Sequence, residues 1–132
     1  LTANPLSCVA GYHSLLEIER RNAPAVAGRA GDRLTAGLAA IIERRGLPYV
    51  VYNQGSVVHL QTSGVLLLNV RNPIQLLREV NPRKHMMEEM GAAYMAHGLV
   101  TLAGSRLYTS AADSDEIIDE ALNRFEDVFK LV

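Results

Sequence analysis

His85-Met86-Met87-Glu88-Glu89 places an imidazole one helical turn from a carboxylate, which is the beginning of a metal-ligand set. Zinc needs three or four convergent ligands. Glu89 stands where a second histidine would complete the pair, so the segment reads as a solvated helix face and no metal site is expected. His13 falls on the apolar side of a helical pattern and His97 at a helix end, positions that suit packing and C-terminal capping. The single cysteine, Cys8, has no partner for an internal disulfide, and its apolar helical surroundings read as those of a buried, inert thiol. Neither Cys8 nor any serine has a histidine and an acid close by in sequence, so a hydrolase would need a triad assembled by folding. Gly28-Arg29-Ala30-Gly31 lies within a helical pattern rather than after a strand, which excludes a phosphate loop.

Arg106 is the residue with the clearest chemical potential. It interrupts a strand-like apolar run, where arginine is costly unless paired, and its planar guanidinium matches a carboxylate in two-point geometry. The alternative is a position on the solvent face of an edge strand, since arginine is seldom fully buried.

Composition narrows the partners. The chain has 132 residues, 48 % of them hydrophobic and 20 % charged, with a formal net charge of -1, as expected for one globular domain spanning 1–132. Near-neutral charge gives no reason to expect nucleic acid or an anionic membrane as a partner. The longest near-continuous apolar run, Val65 to Val70, is too short to span a bilayer. A lone cysteine fits a cytoplasmic origin.

The elements that must position these residues follow from caps and periodicity. Asn4 and Pro5 are a preferred N-cap and first helical residue, and Leu6, Val9, Ala10, His13 and Leu16 continue a helix to about Glu19. A helix start this close to residue 1, with no initiator methionine or leader before it, leads to the expectation of a C-terminal fragment of a larger protein. Pro24 opens a second helix with Leu34, Leu38, Ile41 and Ile42 on its apolar face, closed by Gly46. Tyr49–Tyr52 and Val57–Leu60 form a hairpin around Asn53-Gln54-Gly55-Ser56, with a further strand expected at Val65–Val70. Asn72-Pro73 and Asn81-Pro82 start a short and a longer helix, the latter carrying Met86, Met90, Ala93 and His97 to Gly98, with the methionines in the core. Leu99–Leu102 and Arg106–Thr109 read as paired strands. Asp113, with Glu116 three residues on, caps a last helix striped by Ile118, Leu122, Phe125 and Phe129. Strands that cluster in pairs favour an α+β fold: a small antiparallel sheet with helices packed on one face, those after Asn4 and Asp113 on the same side.

Leu1-Thr2-Ala3-Asn4-Pro5-Leu6-Ser7-Cys8-Val9-Ala10-Gly11 resembles the segment of class III, fold-type I pyridoxal-phosphate aminotransferases in which Asn-Pro-Leu opens a small-residue helix. Ala3 replaces the usual glycine. Tyr108-Thr109-Ser110-Ala111-Ala112-Asp113-Ser114-Asp115-Glu116-Ile117-Ile118-Asp119 resembles the closing segment of the glutamate-1-semialdehyde aminomutase branch, where a histidine usually stands in place of Asp113. The resemblance implies the C-terminal small domain of such an enzyme, with the cofactor-binding large domain upstream and absent. It also implies a cytoplasmic homodimer that uses pyridoxal 5′-phosphate to move an amino group between an amino-acid or amine substrate and a keto or aldehyde acceptor. The family's Schiff-base lysine lies before the Asn-Pro motif. Lys84 and Lys130 are the lysines of this chain and neither has that context, so the chain carries no catalytic residue and should be inactive alone. Thr2 and Asn4 are the residues nearest the cofactor. In the ornithine and 4-aminobutyrate branches an arginine of the strand before the last helix binds the substrate carboxylate, and ungapped counting places Arg106 there. The alternative to an enzyme is a stand-alone α+β binding or dimerisation module.

Overall fold

The computed structural model describes residues 4–62 and 86–132. Its elements run α1 (Pro5–Arg20), α2 (Ala23–Arg45), β1 (Val50–Gln54), β2 (Val57–Gln61), α3 (residues 86–96), β3 (Arg106–Tyr108) and α4 (Asp115–Phe129). The strand expected at Val65–Val70, the helix starts at Asn72 and Asn81, and Lys84 and His85 lie outside the described residues.

Each helix boundary has a local cause. The Asn4 side chain accepts a hydrogen bond from the Leu6 N–H at 3.0 Å, and Pro5 occupies the first turn, where no donor is needed. Between α1 and α2 the chain turns at Asn22, whose φ of 49° is a left-handed conformation that asparagine tolerates better than most residues. The α2 helix keeps Pro24 in its first turn and ends at Gly46, as its sequence predicts. At the last helix the expectation needs correction, because Ser114, not Asp113, is the N-cap and accepts from the Ile117 N–H. The Asp113 carboxylate is already engaged, accepting from the Ser110 N–H at 2.7 Å and closing the preceding turn.

The strands form one antiparallel sheet in the order β1-β2-β3, within the α+β architecture expected. Gln54 pairs with Val57, leaving Gly55-Ser56 as a two-residue hairpin loop with positive φ at the first position only, the pattern of a II′ turn. Side chains alternate across the sheet, so Val58, Leu60 and Leu107 are buried while Val57, Arg106 and Tyr108 are exposed. The expected strand at Leu99–Leu102 reduces to a single bridge between Leu102 and Arg106. Leu99 is buried and Val100 faces solvent, so this stretch follows the end of α3 rather than extending the sheet.

The α2 helix packs on β1 and β2, and α4 packs on α2. Leu34, Leu38 and Ile41 of α2 meet Val58 and Leu60 of the sheet and Phe125, Val128 and Phe129 of α4 in one core. Met90 and Tyr94 of α3 complete it, with the Tyr94 ring 5.1 Å edge-to-face from Phe125, and Tyr49 likewise 5.5 Å from Phe129. A Cβ on Gly31 would come within 2.3 Å of the Gly55 carbonyl oxygen, so only glycine lets α2 sit this close to the hairpin turn. Arg33 forms a two-point pair with Asp119, and Arg44 and Arg45 converge on Glu126, fixing the α2–α4 pairing at its edge. The Arg44 guanidinium, then that of Arg45, holds the Glu126 carboxyl below its ordinary range.

Two expectations about packing fail. The first helix does not lie on the sheet face beside α4: it leans on α2, and none of its residues is buried. Of the methionines, Met90 is in the core and Met86 packs against it, but Met95 points to solvent.

The Tyr94 side chain is fully buried with its hydroxyl unpaired among the described residues, and burial pushes its pKa far above the ordinary tyrosine value of 10.0. The folded state therefore keeps a proton that the unfolded chain releases above that value, and stability falls as pH rises beyond it. Tyr94→Phe removes the orphaned hydroxyl and should raise unfolding free energy at neutral pH by about 1 kcal/mol. Urea titrations at neutral and alkaline pH should also show a shallower alkaline decline in the variant. A less stable Phe variant would mean that the hydroxyl has a partner.

Candidate functional site

The face of the sheet turned away from α2 carries the one site residue singled out from sequence that lies on a strand. Register places Tyr52, His59 and Arg106 in one cross-strand row, and Gln54, Val57 and Tyr108 in the next. The rings of Tyr52 and His59 stack with centroids 5.1 Å apart and planes 23° from parallel. Arg106 is exposed beside them, and among the described residues it makes no ion pair.

Backbone contacts hold Arg106 at a defined place. Its carbonyl accepts from the Leu102 N–H at 2.8 Å and its own N–H donates to the Leu102 carbonyl at 3.1 Å. The tight turn between them passes through Ala103 (φ 51°) and Gly104 (φ 66°). A Cβ on Gly104 would fall 2.2 Å from the Met87 carbonyl oxygen, so the turn lies directly against the α3 backbone. Beyond β3, the buried Thr109 donates its hydroxyl to the Ala27 carbonyl at 2.7 Å, and its N–H bonds the Ser56 carbonyl at 2.9 Å. The strand is thus tied to α3 at one end and to α2 and the hairpin turn at the other. The result is a guanidinium with no carboxylate partner among the described residues, flanked by an imidazole and exposed phenols, on a rigid backbone. Such a surface favours an incoming carboxylate.

The other singled-out residues do not join it. Asn4 is spent as the α1 cap, and Thr2 lies outside the described residues. Lys130 ends α4 with its ammonium 2.6 Å from Asp127. His97 places Nδ1 2.9 Å from the Ala93 carbonyl, the helix-end role expected of it. Glu88 and Glu89 are exposed, and among the described residues no three His, Cys, Asp or Glu side chains converge on a common point. His13 is exposed with its ring edge-on to Tyr12. Cys8 is a correction: its thiol is exposed, because α2 does not cover that side of α1. At the far end of α1, Glu17 bonds Arg20 and then Arg21, which lowers its carboxyl pKa to about 2. Sequence reading missed Tyr52, His59 and Tyr108. Strand alternation carried the signal, but only the register shows which of them share a row with Arg106.

No family model matches the chain. Among curated proteins, glutamate-1-semialdehyde 2,1-aminomutase of Persephonella marina is 30 % identical over 132 residues, covering 98 % of this chain and 29 % of that enzyme. The same enzyme of Pyrobaculum calidifontis is 32 % identical over 131 residues, covering 97 % and 28 %. Glutamate-1-semialdehyde 2,1-aminomutase 2 of Shouchella clausii is 28 % identical over 139 residues, covering 100 % and 30 %. The chain is similar to the C-terminal part of glutamate-1-semialdehyde aminomutases. It spans less than a third of the length of these relatives. Among the described residues no helix is long and apolar enough to cross a membrane.

Because Arg106 is exposed and unpaired within the described residues, Arg106→Ala should leave the unfolding free energy within about 0.5 kcal/mol of the parent. Urea denaturation measures this directly, and a loss well above that would assign Arg106 a structural role instead.

Proposed function

We propose that this chain is the C-terminal domain of a cytoplasmic, pyridoxal-phosphate-dependent aminomutase or aminotransferase. In this reading the enzyme moves an amino group between an amino-acid or amine substrate and a keto or aldehyde acceptor, and works as a homodimer. The observation that carries the proposal is similarity along the whole chain to one part of the aminomutases, the part in which their sequences end. The resemblance of Asn4-Pro5-Leu6 and of the run from Tyr108 to Asp119 supports it at both ends of the chain.

Lys130 is ion-paired at the exposed end of α4, and Asn4 is occupied in capping α1. In this proposal the cofactor and its lysine belong to the domain that precedes Leu1, and the present chain contributes binding and closure of the substrate pocket. Arg106 has the chemistry to orient a substrate carboxylate: a fixed strand position, a planar two-point donor and no acid partner among the described residues.

In the intact protein, borohydride reduction should fix the cofactor covalently on a lysine outside these 132 residues, read by peptide mass spectrometry. An adduct on Lys84 or Lys130 would refute the assignment.

Steady-state kinetics of Arg106→Lys in the intact enzyme should show KM for carboxylate substrates raised by the equivalent of about 1–3 kcal/mol, since a bidentate donor becomes a point charge. Unchanged KM would leave Arg106 as a surface residue and place the carboxylate-binding cation elsewhere.

A further inference from the structure

The outward face of the sheet sets an imidazole directly opposite a guanidinium and supplies no acid to either. Register pairs His59 of β2 with Arg106 of β3 on one side and with Tyr52 of β1 on the other, so the three side chains form one row. Residues directly opposite each other on antiparallel strands have Cβ atoms about 4.5–5.5 Å apart, close enough for the two oxygens of one carboxylate to meet both side chains. The strands β1, β2 and β3 contain no Asp or Glu, and neither does the turn Gly55-Ser56 nor the stretch 97–105 that leads into β3. Asp32 of α2 bonds the sheet through the Asn53 side chain at 2.7 Å, but Asn53 alternates to the face opposite His59. Among the described residues, the ionisable groups that share the His59 face are therefore Arg106 and the phenols of Tyr52 and Tyr108.

Charge decides what such a row favours. A like charge directly opposite destabilises a strand pair, so a proton on His59 is opposed by Arg106. The Tyr52 ring acts the other way: its centroid lies 5.1 Å from that of His59 with the planes 23° from parallel, and the negative face of an aromatic ring attracts a cation. An anion bound to the guanidinium removes the opposition, and it gains a second charged donor once the imidazole takes up a proton from solvent. Histidine changes charge between about pH 5 and 8, so this coupling falls in the ordinary working range of a protein.

We propose that His59 is a second carboxylate-binding residue of this face, and that a carboxylate arriving at Arg106 is bound together with a proton on the His59 imidazole. The inference rests on the reading of Arg106 as the residue that receives the substrate carboxylate. Binding is then tightest where His59 is charged and weakens as pH rises, whereas a site made by Arg106 alone stays charged throughout and has no such dependence. The coupling is reciprocal: the factor by which the proton strengthens carboxylate binding is the factor by which the carboxylate strengthens proton binding.

Propionate tests this on the intact protein by NMR, with sodium chloride at equal ionic strength as the reference. The ring Cε1–H resonance of His59 is assigned by its loss in His59→Gln or, in the parent protein alone, by magnetisation transfer from the Tyr52 ring stacked on it. At one pH near neutrality, propionate should move that resonance toward its imidazolium position and leave those of His13 and His97 as they are in chloride. Propionate affinity from the same titrations should be at least about fivefold weaker in mild alkali than in mild acid, the lower end of ordinary coupling between two sites. Arg106→Gln should abolish both effects, and His59→Gln should keep the alkaline affinity and lose the gain in acid. A His59 resonance that ignores propionate overturns the proposal, and so does a response that survives Arg106→Gln. Kinetics of Arg106→Lys read the underlying assignment separately. Raised KM with a silent His59 keeps Arg106 as the carboxylate residue and removes His59 from the site. A His59 response in a protein that holds no pyridoxal phosphate keeps the Arg106–His59 pair and removes the enzyme reading.

Discussion

Burial of the inner side of α2 is the constraint on which the other elements depend. The α2 helix contacts α1, β1, β2 and α4, and Leu34, Leu38 and Ile41 sit where the sheet and the last helix meet. Each such side chain contributes on the order of 1.5–3 kcal/mol when fully buried. The exposed ion pairs along the same helix, Arg33 with Asp119 and Arg44 with Glu126, are screened by water and contribute little beside this burial. Packing therefore sets the arrangement, and the charges select the alignment of α4 on α2. The absence of a side chain at Gly31 matters as much as the large residues, since it brings the helix down to the hairpin turn.

That choice of face decides what the sheet presents outward. Alternation commits Val58, Leu60 and Leu107 to the core, and the same register leaves Tyr52, His59 and Arg106 on the opposite side. A slip of one residue in β3 would bury Arg106 and expose Leu107. The turn through Ala103 and Gly104 and the buried Thr109 hydroxyl both oppose that slip, so the anchors of the core also position the candidate binding residue.

Helix starts and stops were legible because they depend on local chemistry: Asn4-Pro5, Pro24 and Gly46 act within a turn of themselves. The hairpin was legible for the same reason, through Gly55. What depended on distant partners was not. Leu99–Leu102 has strand-like residues, yet its path follows the end of α3 and only Leu102 reaches β3. Asp113 and Ser114 are both good caps, and the choice fell to Ser114 because the Ser110 N–H claims the Asp113 carboxylate. Arg106 could be singled out by its type in an apolar run. Its neighbours Tyr52 and His59 could not, since their proximity is a property of strand pairing across dozens of residues.

Cys8 and Met95 extend that lesson from local structure to the surface. Both belong to apolar helical patterns that read as core, and both are exposed. For Met95 a single residue on a helix is an ordinary departure. For Cys8 the departure is collective, since Val9, Tyr12, Leu15 and Leu16 share it and none of α1 is buried. None of these α1 residues joins the core formed by α2, the sheet and α4. An amphipathic pattern fixes which side of a helix is to be covered, and leaves open whether the covering surface comes from the same domain.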